Sequence, residues 1–345
     1  MKELLGHIIT GGTLSIDQAA EAFDLIMTGE ATPAQVGAML AMLQQRGPTV
    51  DEITGAAQVM RRMATAVEVP AGLTVIDTCG TGGDHSGTFN ISTAAALVAA
   101  AAGRPQGIAV AKHGNRSITS QSGSSQVLEA LGVSLETSGP ALTRCLDEAG
   151  ICFCFAPRHH PAMKHAMPIR LDLGFRTIFN VLGPLTNPAG AARQVMGVFD
   201  PALTEPIADV LANLGAQAAM VVHGRMGDHP LDELSTGGTS TVHHLDGGRI
   251  RRFEIEPEDL GLGRADPAAL QVDGPDSSAA VIRGVLAGEK GPARDIVALN
   301  AAAALVVAGI ADDLAGGLGL AGEALDSGAA SRALDRLVAV TQEAD

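Results

Sequence analysis

From about residue 72 onward, short β-favouring apolar runs alternate with segments of helical pattern. The runs lie at residues 74–78, 108–111, 151–155, 195–199 and 220–223. This alternation is typical of a largely parallel sheet, because parallel neighbours must be joined by long crossovers that usually contain a helix. Two more polar runs, 241–245 and 251–256, flank Asp246-Gly247-Gly248 and predict an edge hairpin. The last seventy residues are rich in alanine and are predicted to be helical.

The first seventy residues have a different pattern. Three capping boxes, each a hydroxyl followed three residues later by Gln or Glu, occur at Ser15/Gln18, Thr32/Gln35 and Thr49/Glu52. An apolar face at helical spacing follows each of them, and Gly47-Pro48 ends the second helix. The fold class is therefore α/β, with a small all-helical domain over 1–70 and a larger domain over 71–345 whose mostly parallel central sheet is flanked by helices. We expect helices from about 162–190 to join the small domain.

Composition excludes several classes of function. Apolar residues make up 46% and charged residues 18%, as in ordinary globular proteins. A net charge of −15 and an aromatic content of 2%, without Trp or Tyr, argue against nucleic-acid binding and against a membrane-surface role. No signal-peptide pattern opens the chain, and the apolar stretch 94–103 is too short to span a bilayer. We expect a cytoplasmic protein whose four cysteines are reduced packing thiols.

The stretch DTCGTGGDHSGTFNIST, residues 77–93, joins a predicted strand to a predicted helix through a glycine-rich turn. Such a turn lets backbone N–H groups approach a phosphate, and the helix start adds free donors and the positive end of its dipole. The glycine spacing differs from the dinucleotide fingerprint, and no lysine completes a P-loop. The segment therefore predicts a phosphate-binding loop of another kind.

A second polar segment, AKHGNRSITSQSGSS over 111–125, follows the next predicted strand. Lys112 and Arg116 supply positive charge, and several hydroxyl groups follow them. Between residues 104 and 194, nine Lys and Arg face five Asp and Glu, although the whole chain is acidic. Since ligands of α/β sheets bind at the carboxyl ends of strands, two such loops predict a site for a small ligand with more than one phosphate.

Four motifs in order, GTGGD…TFNIST, KHGNRSITSQSGS, HHPAMKHAMPIRLDLGFRTIFNVLGPLTNP and LDELS, resemble those of the anthranilate phosphoribosyltransferases. The resemblance spans nearly the whole chain, including the helical part. It implies transfer of the 5-phosphoribosyl group from phosphoribosyl pyrophosphate to the amine of anthranilate, the second step of tryptophan biosynthesis from chorismate. It also implies a homodimer formed through the helical domain, for which the apolar residues Val36, Met39 and Leu40 offer a face.

The resemblance implies a set of residues that bind phosphoribosyl pyrophosphate. In the first loop these are Gly80, Gly83, Asp84, Thr88, Asn90, Ile91, Ser92 and Thr93. In the second they are Lys112, His113, Gly114, Asn115, Arg116, Ser117, Ile118, Thr119, Ser120 and Ser124. Lys112, Asn115 and Arg170 are the implied catalytic residues.

The resemblance also implies a metal site and an acceptor site. Mg²⁺, expected as two ions, would be held by Ser92, Asp232 and Glu233, and adjacent carboxylates such as these serve one ligand only from a loop or a helix start. Arg170 would bind the carboxylate of anthranilate. Gly80, His113, Asn115 and His160 would complete the acceptor site.

The expected mechanism is dissociative, with alignment and electrostatics replacing a covalent nucleophile. Two alternatives remain, a nucleoside phosphorylase of the same fold and a catalytically silent relative that binds nucleic acid. The chain departs from the family pattern at Gln126, where an aspartate is common, and at 225–231, which is longer than usual.

Overall fold

The computed structural model describes residues 1–116 and 123–343, and its N-terminal part is a group of packed helices. All three predicted capping boxes are present, with Ser15, Thr32 and Thr49 each accepting from the backbone three residues on. Gly47 ends one helix with φ of +86°, a conformation that favours glycine. The helices are α1 (Lys2–Ile9), α2 (Ile16–Met27), α3 (Pro33–Arg46) and α4 (Val50–Met63).

Strands and helices then alternate, as predicted. The elements are β1 (Thr74–Asp77), α5 (Ile91–Gly103), β2 (Ile108–Gly114), α6 (Ser124–Ala130), α7 (Gly139–Ala149), β3 (Ile151–Phe155), α8 (Ala156–His159), α9 (Met167–Leu173), α10 (Phe179–Leu182), β4 (Arg193–Gly197), α11 (Thr204–Asn213) and β5 (Ala218–Met226). Strands β1 to β5 pair in parallel.

The remaining strands are antiparallel. They are β6 (His229–Leu231), β7 (Ser240–Asp246) and β8 (Arg249–Ile255), and the last two form the predicted edge hairpin. Four helices close the chain: α12 (Pro275–Leu286), α13 (Pro292–Ala308), α14 (Leu314–Asp326) and α15 (Ala329–Gln342). Short 3-10 turns lie at Arg104–Gln106, Pro161–His165, Gly183–Leu185, Pro201–Leu203, Pro257–Leu260 and Pro267–Ala269.

Within the described residues the strands form one eight-stranded sheet in the order β3-β2-β1-β4-β5-β7-β8, with β6 on β5. The chain runs outward from β1 through β2 to β3 and then crosses to the other side of β1 to form β4. The carboxyl end of β1 is therefore the point where the strand order reverses, which is where open α/β sheets bind ligands.

Two hydrophobic cores cover the two faces of this sheet. On one face, α5 and α13 are buried nearly all round, as their alanine-rich composition requires. On the other face, side chains of α1 to α4 pack with α11, with the sheet and with residues between Ala166 and Leu185. The domain limits at 1–70 and 71–345 stay a prediction, although this second core does join the helical part to residues within 162–190.

The predicted fold class is confirmed, and the strand limits needed correction. β2 extends three residues beyond the predicted 108–111, because Lys112, His113 and Gly114 pair with β3. β4 lies two residues earlier than predicted, β5 is longer at both ends, and the short strand β6 was not predicted. Segment 225–231 is thus the hairpin that joins β5 to β6, turning at Gly227 with φ of +61°.

Three of the four cysteines, Cys145, Cys152 and Cys154, are buried in the core, and none forms a disulfide. The prediction of packing thiols is confirmed for them. Cys79 lies half-buried in the loop after β1. Among the described residues, no helix is both long and apolar enough to cross a membrane.

Candidate active site

Residues 78–90, which we call the glycine loop, connect β1 to α5. Gly82 and Gly83 have φ of +65° and +80°, so their backbone conformation favours glycine. Segments distant in sequence hold the loop. The N–H of Thr81 donates to the carbonyl of Gly197 at 2.9 Å, and the N–H of Gly82 donates to Oδ2 of Asp232 at 2.6 Å. The predicted loop is therefore fixed in space by the sheet end and by an acidic residue.

The glycine loop ends at the start of α5, where Asn90 and Ser278 exchange hydrogen bonds of 3.0 Å. Ser92 faces the cleft, and its N–H donates to Oε1 of Glu233 at 3.1 Å. Ile91 is buried although it borders the cleft, and its N–H donates to the carbonyl of Phe89 at 2.8 Å. Thr93 points into the wall, and its buried hydroxyl lacks a partner among the described residues. The structure thus brings Asn90, Ile91 and Ser92 to the cleft but not Thr93.

Neighbouring residues of β2 serve opposite faces of the sheet, as strand geometry dictates. The buried ammonium of Lys112 donates to Oγ of Ser92 at 3.1 Å and to the carbonyl of Thr78 at 3.3 Å. His113 faces the other side, where its Nδ1 donates to the carbonyl of Gly183 at 3.0 Å. The side chain of Lys112 therefore contacts the glycine loop, and that of His113 contacts the opposite wall of the cleft.

The second predicted loop is described in part. Oδ1 of Asn115 accepts from the N–H of Arg116 at 2.7 Å, and the Ser124 hydroxyl donates to the Asn115 carbonyl at 3.4 Å. The guanidinium of Arg116 lies 5.7 Å from the centre of the Phe155 ring. Gln126 caps α6 by accepting from the N–H of Gly123 at 3.0 Å. The predicted residues Ser117, Ile118, Thr119 and Ser120 lie outside the described residues.

Asp232 and Glu233 lie in a loop directly after β6. From a loop, both carboxylates can face the same ligand, whereas adjacent residues of a strand would point to opposite faces. Oδ2 of Asp84 accepts from the N–H of Asp232 at 3.2 Å, so three carboxylates converge beside the glycine loop. Burial, followed by the charge of Asp84, raises the pKa of Asp232 well above its usual value. Burial likewise raises the pKa of Glu233 to about 7, although Lys112 opposes the shift. Close carboxylates that destabilise each other's charge suit a site for a cation.

The donor set fits Mg²⁺. Its atoms are oxygens only, two carboxylates and the Ser92 hydroxyl, which are the ligands this hard ion prefers. Within 1–116 and 123–343, no three His, Cys, Asp or Glu side chains are arranged to hold a metal by themselves. An ion there would need further ligands from water or substrate, which is how Mg²⁺ is commonly held beside phosphates.

The opposite wall carries Arg170 and a histidine pair. The guanidinium of Arg170, on α9, lies 5.1 Å from the centre of the Phe179 ring and makes no ion pair with a described carboxylate. Nε2 of His160 lies 3.3 Å from Nε2 of His113. Burial lowers the pKa of His113 to about 3 and that of His160 to about 4, so both rings are neutral at pH 7. This wall therefore offers the cations Lys164 and Arg170 and the neutral imidazoles of His113 and His160, groups that suit an aromatic acid.

Four residues that the sequence analysis did not single out support this geometry. Asp77, at the end of β1, accepts from the N–H of His113 and from the amide of Asn187, whose Nδ2 lies 2.7 Å from Oδ2. Gly197 lets the acidic loop pass, since a Cβ there would lie 1.5 Å from the Asp232 carbonyl. Arg176 donates to the carbonyl of Gly83. Asp77 gave a signal in sequence as a polar residue ending an apolar strand, and Arg176 and Asn187 lie within the third quoted motif, whereas Gly197 gave none.

One cleft of about 950 Å³ gathers the described candidate residues other than Thr93. Both predicted loops contribute to it, from adjacent parallel strands. The sequence-predicted residues that line it are Gly80, Gly83, Asp84, Thr88, Asn90, Ile91, Ser92, Lys112, His113, Gly114, Asn115, Arg116, Ser124, His160, Arg170, Asp232 and Glu233.

Comparisons with known proteins agree with this architecture. Residues 72–331 match the α/β domain of the glycosyl transferase family, and residues 2–64 match its helical bundle domain. The anthranilate phosphoribosyltransferase of Thioalkalivibrio sulfidiphilus is 54% identical over 328 residues, 95% of each chain. That of Paramagnetospirillum magneticum is 52% identical, covering 99% of this chain and 96% of its own.

Solved structures give the same result. The anthranilate phosphoribosyltransferase of Thermus thermophilus superposes with a TM-score of 0.90 at 43% identity, covering 98% of this chain and 99% of its own. The Saccharomyces cerevisiae enzyme, in complex with PRPP and Mg, superposes with a TM-score of 0.88 at 27% identity, covering 99% of both chains. The resemblance seen in the four sequence motifs is confirmed: the chain belongs to the anthranilate phosphoribosyltransferases, enzymes built from the α/β and helical bundle domains of the glycosyl transferase family.

Proposed function

We propose that this chain transfers the 5-phosphoribosyl group of phosphoribosyl pyrophosphate to the amine of anthranilate, releasing pyrophosphate, as the second step of tryptophan biosynthesis from chorismate. One observation carries the proposal. The glycine loop, the start of the second loop, an acidic pair and Arg170 face a single cleft at the switch point of the sheet. The yeast relative solved with PRPP and Mg has the same fold.

The phosphorylated sugar is assigned to the β1–β2 side of the cleft. Backbone N–H groups of the glycine loop, with the side chains of Asn90 and Ser92 at the start of α5, would bind the pyrophosphate end. Lys112 stands behind Ser92 with its charge buried, so it would strengthen the positive potential at that end. Asn115, Arg116 and Ser124 would contact the remaining part of the sugar phosphate.

Anthranilate is assigned to the α9 side. The Arg170 guanidinium can bind a carboxylate through two parallel hydrogen bonds. The neutral His113 and His160 would line the channel beside the ring, together with Gly80 and Asn115 near the amine. The yeast relative solved with 4-fluoroanthranilate, 26% identical to this chain, supports an aromatic acid as ligand.

Ser92, Asp232 and Glu233 would hold Mg²⁺, which we infer to bind as two ions. When bound, Mg²⁺ neutralises charge on the departing pyrophosphate. Glu233 positions Ser92 by accepting its N–H, and Asp232 fixes Gly82, so the residues assigned to the metal also hold the phosphate loop.

The protein's contribution to the reaction is alignment and electrostatics. The bond from C1 to pyrophosphate would loosen before the amine attacks the opposite face of the sugar. An arylamine is already neutral at pH 7, so it needs no strong base to become a nucleophile. The reaction requires no covalent intermediate, and none of the assigned residues acts as a nucleophile.

The test is the loss of anthranilate fluorescence when phosphoribosyl pyrophosphate and Mg²⁺ are added to the purified chain. The expected result is a decrease that depends on all three components and releases pyrophosphate. Phosphate-dependent cleavage of thymidine or uridine, without loss of anthranilate fluorescence, would instead identify a nucleoside phosphorylase. A shift of nucleic acid in a gel at physiological salt, without either reaction, would identify a binding protein.

We also infer a homodimer through the helical domain. The face formed by Val36, Met39 and Leu40 is not available for it, because these side chains are buried within the subunit. Ile9 of α1, 74% exposed, is the exposed large apolar side chain of residues 1–70; Leu171 and Phe175, within the segment that joins this domain, are the others among the described residues. Light scattering should give twice the subunit mass, and Ile9→Lys should reduce it. A monomeric wild-type protein would refute the dimer.

A further inference from the structure

Three consecutive residues at the tip of the glycine loop are held by three different segments. Thr81 is held by the end of β4, since its hydroxyl accepts from the N–H of Phe199 at 3.1 Å and its N–H donates to Gly197. Gly82 is held by Asp232. Gly83 is held by Arg176, which donates to its carbonyl from the segment after α9. Arg176 is the only cation among these described contacts.

The position of Arg176 is closely defined. Its guanidinium carbon lies 4.0 Å from the centre of the Phe199 ring, so the planar group covers that ring. Nη2 also lies 3.4 Å from Nε2 of His85, which itself has φ of +59°. A Cβ on Gly83 would meet the same Nη2 at 3.3 Å. The guanidinium thus lies against the part of the loop with left-handed backbone.

We propose that Arg176 is a positioning residue that fixes the tip of the glycine loop for the pyrophosphate end of phosphoribosyl pyrophosphate. This inference rests on the proposed function. A loop that binds phosphate through its N–H groups must point them at the ligand, and their direction depends on residues 82 and 83. Arg176 binds the carbonyl of Gly83, which shares its peptide plane with the N–H of Asp84, and so fixes the direction of that N–H. It also brings a positive charge beside Asp84 and Asp232, which meet at this end of the loop.

Arg176 also lies six residues after Arg170, on the segment that connects α9 to α10. Arg170, which is assigned to anthranilate, and Arg176, which holds the glycine loop, therefore lie on one short stretch of chain. Arg176 itself touches the loop and Phe199, so its effect should fall on phosphoribosyl pyrophosphate rather than on anthranilate.

The test is the affinity of phosphoribosyl pyrophosphate, measured by calorimetry with Mg²⁺, for wild type, Arg176→Met and Arg176→Lys. Arg176→Met keeps the apolar stem but removes the charged donor, and we expect affinity to fall about ten-fold or more. Arg176→Lys keeps the positive charge but loses the planar group that covers the Phe199 ring, so its affinity should lie between those of Arg176→Met and wild type. The KM for anthranilate at saturating phosphoribosyl pyrophosphate should change less than about two-fold.

Arg104→Met is the matched control, because Arg104 also donates to a backbone carbonyl, that of Asp147, but lies outside the cleft. It should leave the affinity unchanged. Equal losses in Arg104→Met and Arg176→Met, or no loss in Arg176→Met, would overturn the proposal. If Arg176→Met does not fold, Phe199→Leu provides the test, because it removes the ring beneath the guanidinium. The affinity for phosphoribosyl pyrophosphate should then fall about three-fold. An unchanged affinity would refute the positioning role of Arg176. Failure of the proposed function is distinct, since wild type itself would then bind no phosphoribosyl pyrophosphate.

Discussion

At the scale of single residues, the cleft is organised by side chains that are adjacent in sequence and separated in space. Lys112 lies under the glycine loop, whereas His113 lies on the opposite wall against Gly183. Asp77, buried at the end of β1, contacts the glycine loop by accepting from the Thr78 N–H, and it also accepts from the His113 N–H and from the Asn187 amide. The strand alternation of β2 thus divides one short motif between the two assigned substrates.

Arg170 gives a prediction at this scale. Replacing it with Ala removes the guanidinium assigned to the anthranilate carboxylate, and we expect the KM for anthranilate to rise about ten-fold or more, because charged hydrogen bonds contribute roughly 1.5–3 kcal/mol. The KM for phosphoribosyl pyrophosphate should stay unchanged. Steady-state kinetics with each substrate varied in turn measures both. An unchanged KM for anthranilate would show that the acceptor site has been assigned to the wrong residue.

His113 gives a second prediction at this scale, which concerns the pH dependence of stability. Burial lowers the pKa of its imidazole to about 3, so between this value and about 6.5 the unfolded chain binds a proton that the folded chain does not. Stability therefore falls as the pH drops below about 6.5, by about 2 kcal/mol at pH 5 for this group. His113→Asn, which retains a donor near Nδ1, should lose correspondingly less stability between pH 7 and pH 5.

Urea denaturation at the two pH values measures this difference. Burial raises the pKa of Asp77 to about 6, which has the opposite effect on stability, but Asp77 is present in both proteins and its effect cancels. Equal losses in wild type and His113→Asn would show that the imidazole is not held neutral.

At the scale of elements, the helical part is held at one point where three helices meet. Glu52, in the first turn of α4, is fully buried and accepts from both the Arg46 guanidinium at the end of α3 and the N–H of Leu14 before α2. It also accepts from the N–H of Thr49, so the capping box of α4 is part of the same network. One carboxylate therefore satisfies donors from three separate segments.

Glu52→Ala should lower the free energy of unfolding by about 3 kcal/mol, because it leaves a part-buried guanidinium and two backbone N–H groups without their acceptor. Asp51→Ala, on the exposed neighbour in the same helix turn, is the control and should cost about 0.5 kcal/mol or less. Urea denaturation of the two variants makes the comparison. Similar values for both would show that the buried network contributes little.

At the scale of the whole molecule, the topology of the sheet creates the site. Because β2 and β4 flank β1, the loops after β1 and β2 emerge side by side, and the acidic pair reaches them from the antiparallel part of the sheet. The close passage of Asp232 over Gly197 connects these two parts. Substrate and metal binding should therefore stabilise the fold as a unit.

Phosphoribosyl pyrophosphate with Mg²⁺ at about one hundred times the dissociation constant should raise Tm by about 4 °C, equivalent to about 2.7 kcal/mol. EDTA should abolish most of this shift, because the acidic pair then faces the pyrophosphate without a cation. Glu233→Gln should reduce the metal-dependent part. Scanning calorimetry measures each case, and a shift that is insensitive to EDTA would contradict the shared metal site.

The sequence alone determined the fold class, the capped helices and the two loops that follow β1 and β2, whereas the acidic pair was identified only through the family resemblance. These features depend on local patterns, such as a hydroxyl before Gln or Glu and glycines between a strand and a helix, which are visible without neighbours. Tertiary structure alone decided that β2 extends through Lys112 and His113, that Thr93 faces the wall, and that Val36, Met39 and Leu40 are internal. It also decided the roles of Arg176, Asn187 and Gly197. These depend on which segments pack together after folding, and no periodicity or motif in the chain encodes contacts between residues so far apart.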